Sequence, residues 1–504
     1  MKPNYLPRQS YTFQYVLTLA AVTLLAGCAS TGGLHTEGQL TDSATLHAER
    51  STAKAAITPA AWPGGDWWTQ LGDKQLDALI AEALKDNPDL ASADARARAA
   101  QSQVDNANAK RLPTVNSDAS ITGVRLPTTA VPKPIGGSFQ TFPAIYASFN
   151  WGIDVWGGKR ATWEAALGQA RASEIDAHAA RLMLSGNVAR AYVQFGYAFA
   201  EQDVADAQLK RANASRALVK QRVAAGIDNQ MQVKQADAEV ASAEQQAAVA
   251  DEAIASARIA LAILLGKGPD RGLDLARPQV LQPTVLALPP NLPADLLGRR
   301  ADLVAARWRV EAASKNITAV KTEFLPNISL GAMAGLTSSS VDTLFSLPAR
   351  FYEIAPAISL PIFDGGRRRA DLKNADASYD LAVAQYNSTL VSALNDVADK
   401  LSGMDSLHVQ ISAQQRALDA SRQAWDLSQQ RYTAGIGSYL DTLSVQQQLL
   451  TAEQRLATLN AQQVDTSVRL VQALGGGYQA GDDTPPVASA APANGNAEAT
   501  AAPR

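Results

Sequence analysis

The sequence predicts a mostly α-helical chain with a transmembrane β part. Four strands per chain would complete a shared barrel, continuous with a long α-helical coiled-coil tunnel. Three observations carry that expectation. Leu390, Val397, Met404, Ile411, Leu418, Trp425 and Tyr432 recur every seven residues, one stripe of a helix under-wound into a left-handed supercoil. Alternating apolar and polar segments of about ten residues have the length that crosses a bilayer when tilted. The whole pattern also occurs twice, with corresponding motifs 208–213 positions apart.

Composition narrows the classes. The chain has 504 residues, a formal net charge of −3 and 46% hydrophobic residues. Near-neutrality makes no electrostatic case for nucleic acid or a polyanionic substrate. Much of the apolar content is alanine, which suits close helix packing. The single cysteine, Cys28, excludes a disulfide framework and a thiolate cluster. His35, His47, His178 and His408 have no ligand-like spacing, and neither a metal nor a cofactor is expected.

From the start of the chain, Lys2 and Arg8 precede a short apolar run, Tyr15 to Leu25, that ends in Leu25-Ala26-Gly27-Cys28. This is an export signal, and the small residues before the cysteine resemble a bacterial lipobox. That resemblance implies cleavage after residue 27 and lipid attachment at Cys28. Ala29 is not the aspartate that retains such lipoproteins at the inner membrane, so the implied destination is the outer membrane. Residues 28–61, rich in Ser, Thr, Gly and Ala, read as a lipidated flexible tether.

The first repeat spans residues 62–268. Leu71, Leu76, Leu79, Ile80 and Leu84 recur with helical spacing, and Asn87-Pro88-Asp89-Leu90 opens an alanine-rich run to Lys110 that Pro113 stops. The period then changes to two. Val115, Ala119 and Ile121 alternate with Asn116, Asp118, Ser120 and Thr122; a Pro- and Gly-rich loop spans roughly 127–143; then Ala147, Phe149, Trp151, Ile153 and Val155 alternate with Ser148, Asn150, Gly152 and Asp154. From Gly157-Gly158-Lys159-Arg160 a long helix runs to Val223, broken at Ala225-Gly226-Ile227-Asp228-Asn229. The return helix carries a seam of Ala236, Val240, Ala243, Ala247, Ala250, Ile254, Ala257, Leu261 and Leu264, built mostly of alanine. Its partner must approach closely.

A proline-rich linker, 269–292, leads to the second repeat, 293–478. Asp302-Leu303 answers Asp89-Leu90, and Leu325-Pro326 answers Leu112-Pro113. Alternation returns in Ile328, Leu330, Ala332, Ala334 and Leu336, then in Ile354, Ile358, Leu360 and Ile362. Gly365-Gly366-Arg367-Arg368 answers Gly157-Gly158-Lys159-Arg160, and Gln430-Arg431 with Ala434-Gly435-Ile436 answers Gln221-Arg222 with Ala225-Gly226-Ile227. A tandem duplication follows. Residues 479–504 read as a disordered tail, and Arg367-Arg368-Arg369 as headgroup or solvent contacts at the periplasmic rim.

An open sheet edge leaves backbone groups unpaired in hydrocarbon, and small transmembrane barrels have about eight strands. Four strands therefore contribute to a shared barrel, with polar faces turned to a water-filled lumen.

The lipobox, Trp62 through Leu90, the two Gly-Gly exits and Gln430-Arg431-Tyr432-x-x-Gly435 together resemble the TolC-type outer-membrane efflux factors, specifically their nodulation-protein-T-like lipoprotein branch, over nearly all of residues 60–478. The resemblance implies a homotrimer with a twelve-stranded barrel and a twelve-helix periplasmic tunnel. It also implies a periplasmic adaptor protein and an inner-membrane efflux pump as partners, with outer-membrane lipid around the barrel. The tips carrying Gly226, Ile227, Gly435 and Ile436 resemble the family's adaptor-docking sites. Asp441 stands where relatives carry an aperture aspartate, and Asp228 is a second gate candidate. A further family aspartate is Ser444 here, and Ala301 replaces the usual proline before Asp-Leu. The implied function is the outer-membrane exit duct of a tripartite efflux system. The alternatives are a periplasmic adaptor or a structural coiled-coil envelope lipoprotein, against which the duplicated hairpins and the amphipathic strands argue. No nucleophile elbow or phosphate loop suggests an enzyme.

Overall fold

In the computed structural model, residues 31, 33–46, 62–133, 135–283 and 296–480 are described. The export signal, Cys28 and the expected tail beyond residue 480 lie outside them.

Each repeat delivers helix, two strands and a long helical hairpin. In the first, α1 (Lys74–Asp86) and α2 (Pro88–Ala109) meet at Asn87, whose side chain accepts from Asp89 N–H and caps α2. Strands β1 (Thr114–Arg125) and β2 (Phe139–Ile153) follow, then α3 (Gly158–Ala224) and α4 (Gln230–Leu264). The second repeat gives α5 (Ala301–Thr322), β3 (Asn327–Thr337), β4 (Arg350–Ser359), α6 (Arg367–Thr433) and α7 (Tyr439–Ala473). Helices α3 and α6 have 67 residues each, so each is about 100 Å long. Among the described residues no helix is long and apolar enough to cross a membrane.

The strands form one antiparallel sheet in the order β1-β2-β3-β4. Its register sorts the side chains by period two. Val115 pairs with Phe149, Phe149 with Ala332 and Ala332 with Ile354, all on one face, whereas the Asn116–Ser148–Met333–Glu353 row lies on the other. Two expected boundaries moved. Strand β2 begins at Phe139, so the expected loop ends before Pro143. That proline is tolerated because β3 pairs with β2 only from Ala144, leaving one side of β2 open there. Strand β4 ends at Ser359 rather than running through Leu360 and Ile362, as Pro361 follows.

Both strand exits turn into helices by one device. Gly157 and Gly366 precede α3 and α6 with φ of 76° and 90°, where a side chain would strain the backbone. Asp154 accepts from Lys159 N–H and Arg160 N–H at 3.0 and 2.8 Å, and Asp364 accepts from Gly366 N–H at 3.1 Å. Each carboxylate thus caps its helix. Arg368, expected at the rim in contact with lipid or solvent, is instead buried. It donates to Asp364 and to the Pro361 carbonyl at 2.6 and 2.8 Å and lies over Phe324, because α5 and the β4 exit close over it.

The helices pack where the alanine seams allow. Ala236, Val240, Ala243, Ala250, Ile254 and Leu261 of α4 are buried. The main core lies where the α1 residues Leu76, Leu79 and Ile80 meet Val188, Tyr192 and Phe195 of α3, Leu261 of α4 and Val468 of α7. A second joins Leu303 and Val310 of α5 to Leu390 and Val397 of α6 and Leu470 of α7.

Parts of the expected flexible tether and of the proline-rich linker are held. Within the expected tether, Glu37 N–H and Gly38 N–H donate to Asp380 at 3.0 and 2.7 Å, and Thr41 N–H donates to Asn387 at 2.8 Å. Leu34 and Leu40 pack beside α6. Within the expected linker, Gln279 N–H donates to Asp73 and Gln282 N–H to the Leu71 carbonyl. Backbone hydrogen bonding to side chains distant in sequence holds both, which composition cannot report.

Candidate functional site

The site is the end of the two hairpins farthest from the sheet. Helix α3 ends in a turn in which Ile227 N–H donates to the Arg222 carbonyl at 2.9 Å, and α6 ends with Ile436 N–H on the Arg431 carbonyl at 3.0 Å. Gly226 and Gly435 have φ of 73° and 80°, the left-handed turn that closes a helix. Space is open around both, so an added methyl would cost only backbone strain. Gly435→Ala should therefore lose about 1 kcal/mol, read as a lower midpoint of thermal unfolding. An unchanged midpoint would remove the conformational argument.

Both return helices start from a capping box. Asn229 and Gln232 cap α4; Ser438 and Asp441 cap α7. Asp441 accepts from Ser438 N–H at 3.3 Å, and its own N–H donates to the Ser438 hydroxyl at 3.1 Å. It is exposed, and these hydrogen bonds keep it within its own turn.

Asp228 is held. Its carboxylate accepts from Arg222 Nε at 2.8 Å and from the Tyr432 hydroxyl. Arg222 also donates to the Tyr432 carbonyl at 2.9 Å and stacks over that ring at 4.5 Å. Side-chain exposure is 11% for Arg222 and 9% for Asp228, so the pair is shielded enough to count. Hydrogen bonds from Arg222 hold the Asp228 carboxyl below its usual range, and burial with Asp228 alongside pushes the Tyr432 hydroxyl up. The latch joins hairpins: α3 and its turn supply Arg222 and Asp228, and α6 supplies Tyr432.

About three to four turns above it, Gln208 Nε2 donates to Glu239 at 2.7 Å, Gln446 Nε2 donates to the same carboxylate at 3.3 Å, and Arg211 pairs with Glu453 at 2.7 Å. Helices α3, α4 and α7 are thus tied above the tip as well.

At the turns themselves Ile227, Met231, Ile436 and Leu440 are exposed, an apolar surface on both hairpins. Cys28 lies outside the described residues. Sequence reasoning missed Arg222 as a site residue and took Tyr432 as part of the seven-residue stripe and of the family motif, not of the site. The repeat offset held a signal: the counterpart of Asp228 is Gly437 and that of Tyr432 is Val223, so one half supplies the ion pair and the other the hydroxyl.

A four-stranded sheet with one apolar and one polar face, two unpaired edges and paired helical hairpins about 100 Å long defines a component of an envelope-spanning conduit. Comparison with known proteins agrees. The family model described as outer membrane efflux protein matches residues 79–267 and 292–476. The chain is 36% identical over 364 residues to fusaric acid resistance protein FusA of Burkholderia cepacia, covering 71% of this chain and 68% of that one. It is 32% identical to the solvent efflux pump outer membrane protein SrpC of Pseudomonas putida, covering 84% and 93%. The crystal structure of the outer membrane protein VceC from Vibrio cholerae superposes with a TM-score of 0.78 at 34% identity, covering 83% of this chain and all of that one. This chain belongs to the outer membrane efflux protein family. It has the TolC-type fold and acts in the outer membrane as an efflux protein.

Proposed function

We propose that three copies of this chain form one exit duct, a twelve-stranded barrel continued by a twelve-helix tunnel. It would receive cargo from an inner-membrane pump through a periplasmic adaptor that docks on Gly226, Ile227, Gly435 and Ile436. The observation that carries this reading is the sheet. Strands β1 and β4 present unpaired edges, which a membrane does not tolerate, and their antiparallel directions let β4 of one copy pair with β1 of the next. Asp118 and Glu353 are the charged residues on the polar face of the strands, so the lumen favours cations.

At the tip, Asp441 of three copies would converge on the axis as an acidic constriction, while Asp228 keeps the hairpins together through its latch. Opening is then a splaying of the tip helices by adaptor contact. Cys28 carries the acyl chains that anchor the chain in the outer membrane. The FusA and SrpC names point to small organic compounds, and cargo of that class is proposed here.

The test is planar-bilayer conductance of the purified protein with its mass determined on the same sample. A trimer with acylated Cys28 and a low, cation-selective conductance is expected. A monomer without conductance would overturn the duct and favour an adaptor or spacer, and a mass lacking acyl chains would overturn the anchor.

A further inference from the structure

The apolar face of the sheet carries two charges. On β1 it presents Val115, Ser117, Ala119, Ile121, Gly123 and Arg125; on β4, Arg350, Tyr352, Ile354, Pro356 and Ile358. The facing residues of β2 and β3 are uncharged. Both arginines are exposed, and neither forms an ion pair among the described residues.

Arg125 is the last residue of β1 and Arg350 the first of β4, both at the end of the sheet opposite the helices. Register shows that these ends are level. Arg350 shares a row with Leu336, Ile145 and Ala119, six positions short of Arg125. At the other end Thr114 shares a row with Asn150, Gly331 and Ala355, four positions short of Ser359. Both ends step the same way across the sheet, as tilted strands must when their ends lie in one plane.

We propose that Arg125 of one copy and Arg350 of the next form a binding site for the phosphorylated headgroups of outer-leaflet lipids, repeated at each subunit seam. The site rests on the shared barrel proposed above, because β1 and β4 are the edge strands and neither copy completes it alone. Arginine at the middle of a lipid-facing strand is strongly destabilising, but at the interface the cost nearly vanishes, and the long side chain extends toward the headgroups. A planar guanidinium grips phosphate through two parallel hydrogen bonds. Phe139, opposite Arg125, and Tyr352, two residues beyond Arg350, share this face and are 68% and 85% exposed, as residues of an interfacial aromatic girdle are. The apolar face supplies the surface for the acyl chains beneath.

The test is native mass spectrometry of the full-length protein in detergent, with bisphosphorylated lipid A, the same lipid without phosphates, or inorganic phosphate. Wild type should retain the phosphorylated lipid, and R125Q/R350Q should retain it about thirtyfold less, as two juxtamembrane arginines warrant. R125K/R350K should recover part of the retention. Equal retention by wild type and R125Q/R350Q, or of the phosphate-free lipid, would overturn the site. Displacement by inorganic phosphate would make it a free-anion site and overturn the lipid assignment. A monomer in the same spectrum would overturn the shared barrel itself, whereas a trimer without lipid discrimination would overturn this inference alone.

Discussion

Asp228→Ala is expected to destabilise the tip by about 3 kcal/mol and to raise the conductance of the isolated channel several-fold. The substitution leaves the shielded Arg222 against Tyr432 without its anion, and it removes the acceptor of the Tyr432 hydroxyl. An uncompensated guanidinium is costly, so the hairpins separate to wet it. About 3 kcal/mol is roughly a hundredfold in the ratio of closed to open tips. Tyr432→Phe removes only the hydroxyl and should cost about 1 kcal/mol. Acid should mimic the first change. Because Asp228 titrates below its ordinary value in the fold, its stabilisation is complete above about pH 5 and is lost as pH falls through the depressed value. Wild-type conductance should rise there, and that of the Asp228→Ala channel should already be high and flat. Asp441→Asn tests the acidic constriction separately, since it removes charge while leaving an oxygen for the cap. A rise with Asp228→Ala but none with Asp441→Asn would place the gate in the latch alone.

Leu390→Ala should cost about 2–5 kcal/mol, the range for a large side chain deleted from a closed core. Ile411→Ala, in the same stripe, should cost about 1 kcal/mol or less in the separated chain. The reason is coverage. Leu390 and Val397 are completely buried against α5 and α7, whereas Met404 and Ile411 are only half-buried. The stripe is continuous in sequence but its cover within one chain is not. Helical circular dichroism during heating, in a detergent that separates the copies, would read the difference. Equal costs at both positions would show that the middle of α6 is as well covered by its own chain as the upper part.

Much of this protein follows from local periodicity. The seven-residue stripe and absence of proline predict a helix from Gly365 to Gly437, and α6 runs from Arg367 to Thr433. Of the nine seam residues of α4, six are buried and Ala247, Ala257 and Leu264 are half-buried. Alternation finds all four strands, and the repeat offset aligns both Gly-Gly exits and both tips. These features are legible because each depends on neighbours within a few turns or on the chain's own second copy.

Contacts between distant segments were not legible. Sequence put Arg368 in contact with lipid or solvent, although the Glu323 carbonyl and the Phe324 ring, some 45 residues earlier, close over it. The same limit applied to residues 34–46, where Asp380 and Asn387 hold the backbone. The latch shows the limit most clearly: Asp228 was found as a tip carboxylate, and Arg222 is only six residues away, but its second partner, the Tyr432 hydroxyl of the other hairpin, is 204 residues away. The sequence by itself determined which segments are helix and strand, how often they repeat and that four strands cannot close alone. Only the tertiary structure decided which charges are held and which are free, because a side chain's partner is set by the packing of segments hundreds of residues apart and not by the period of its own helix.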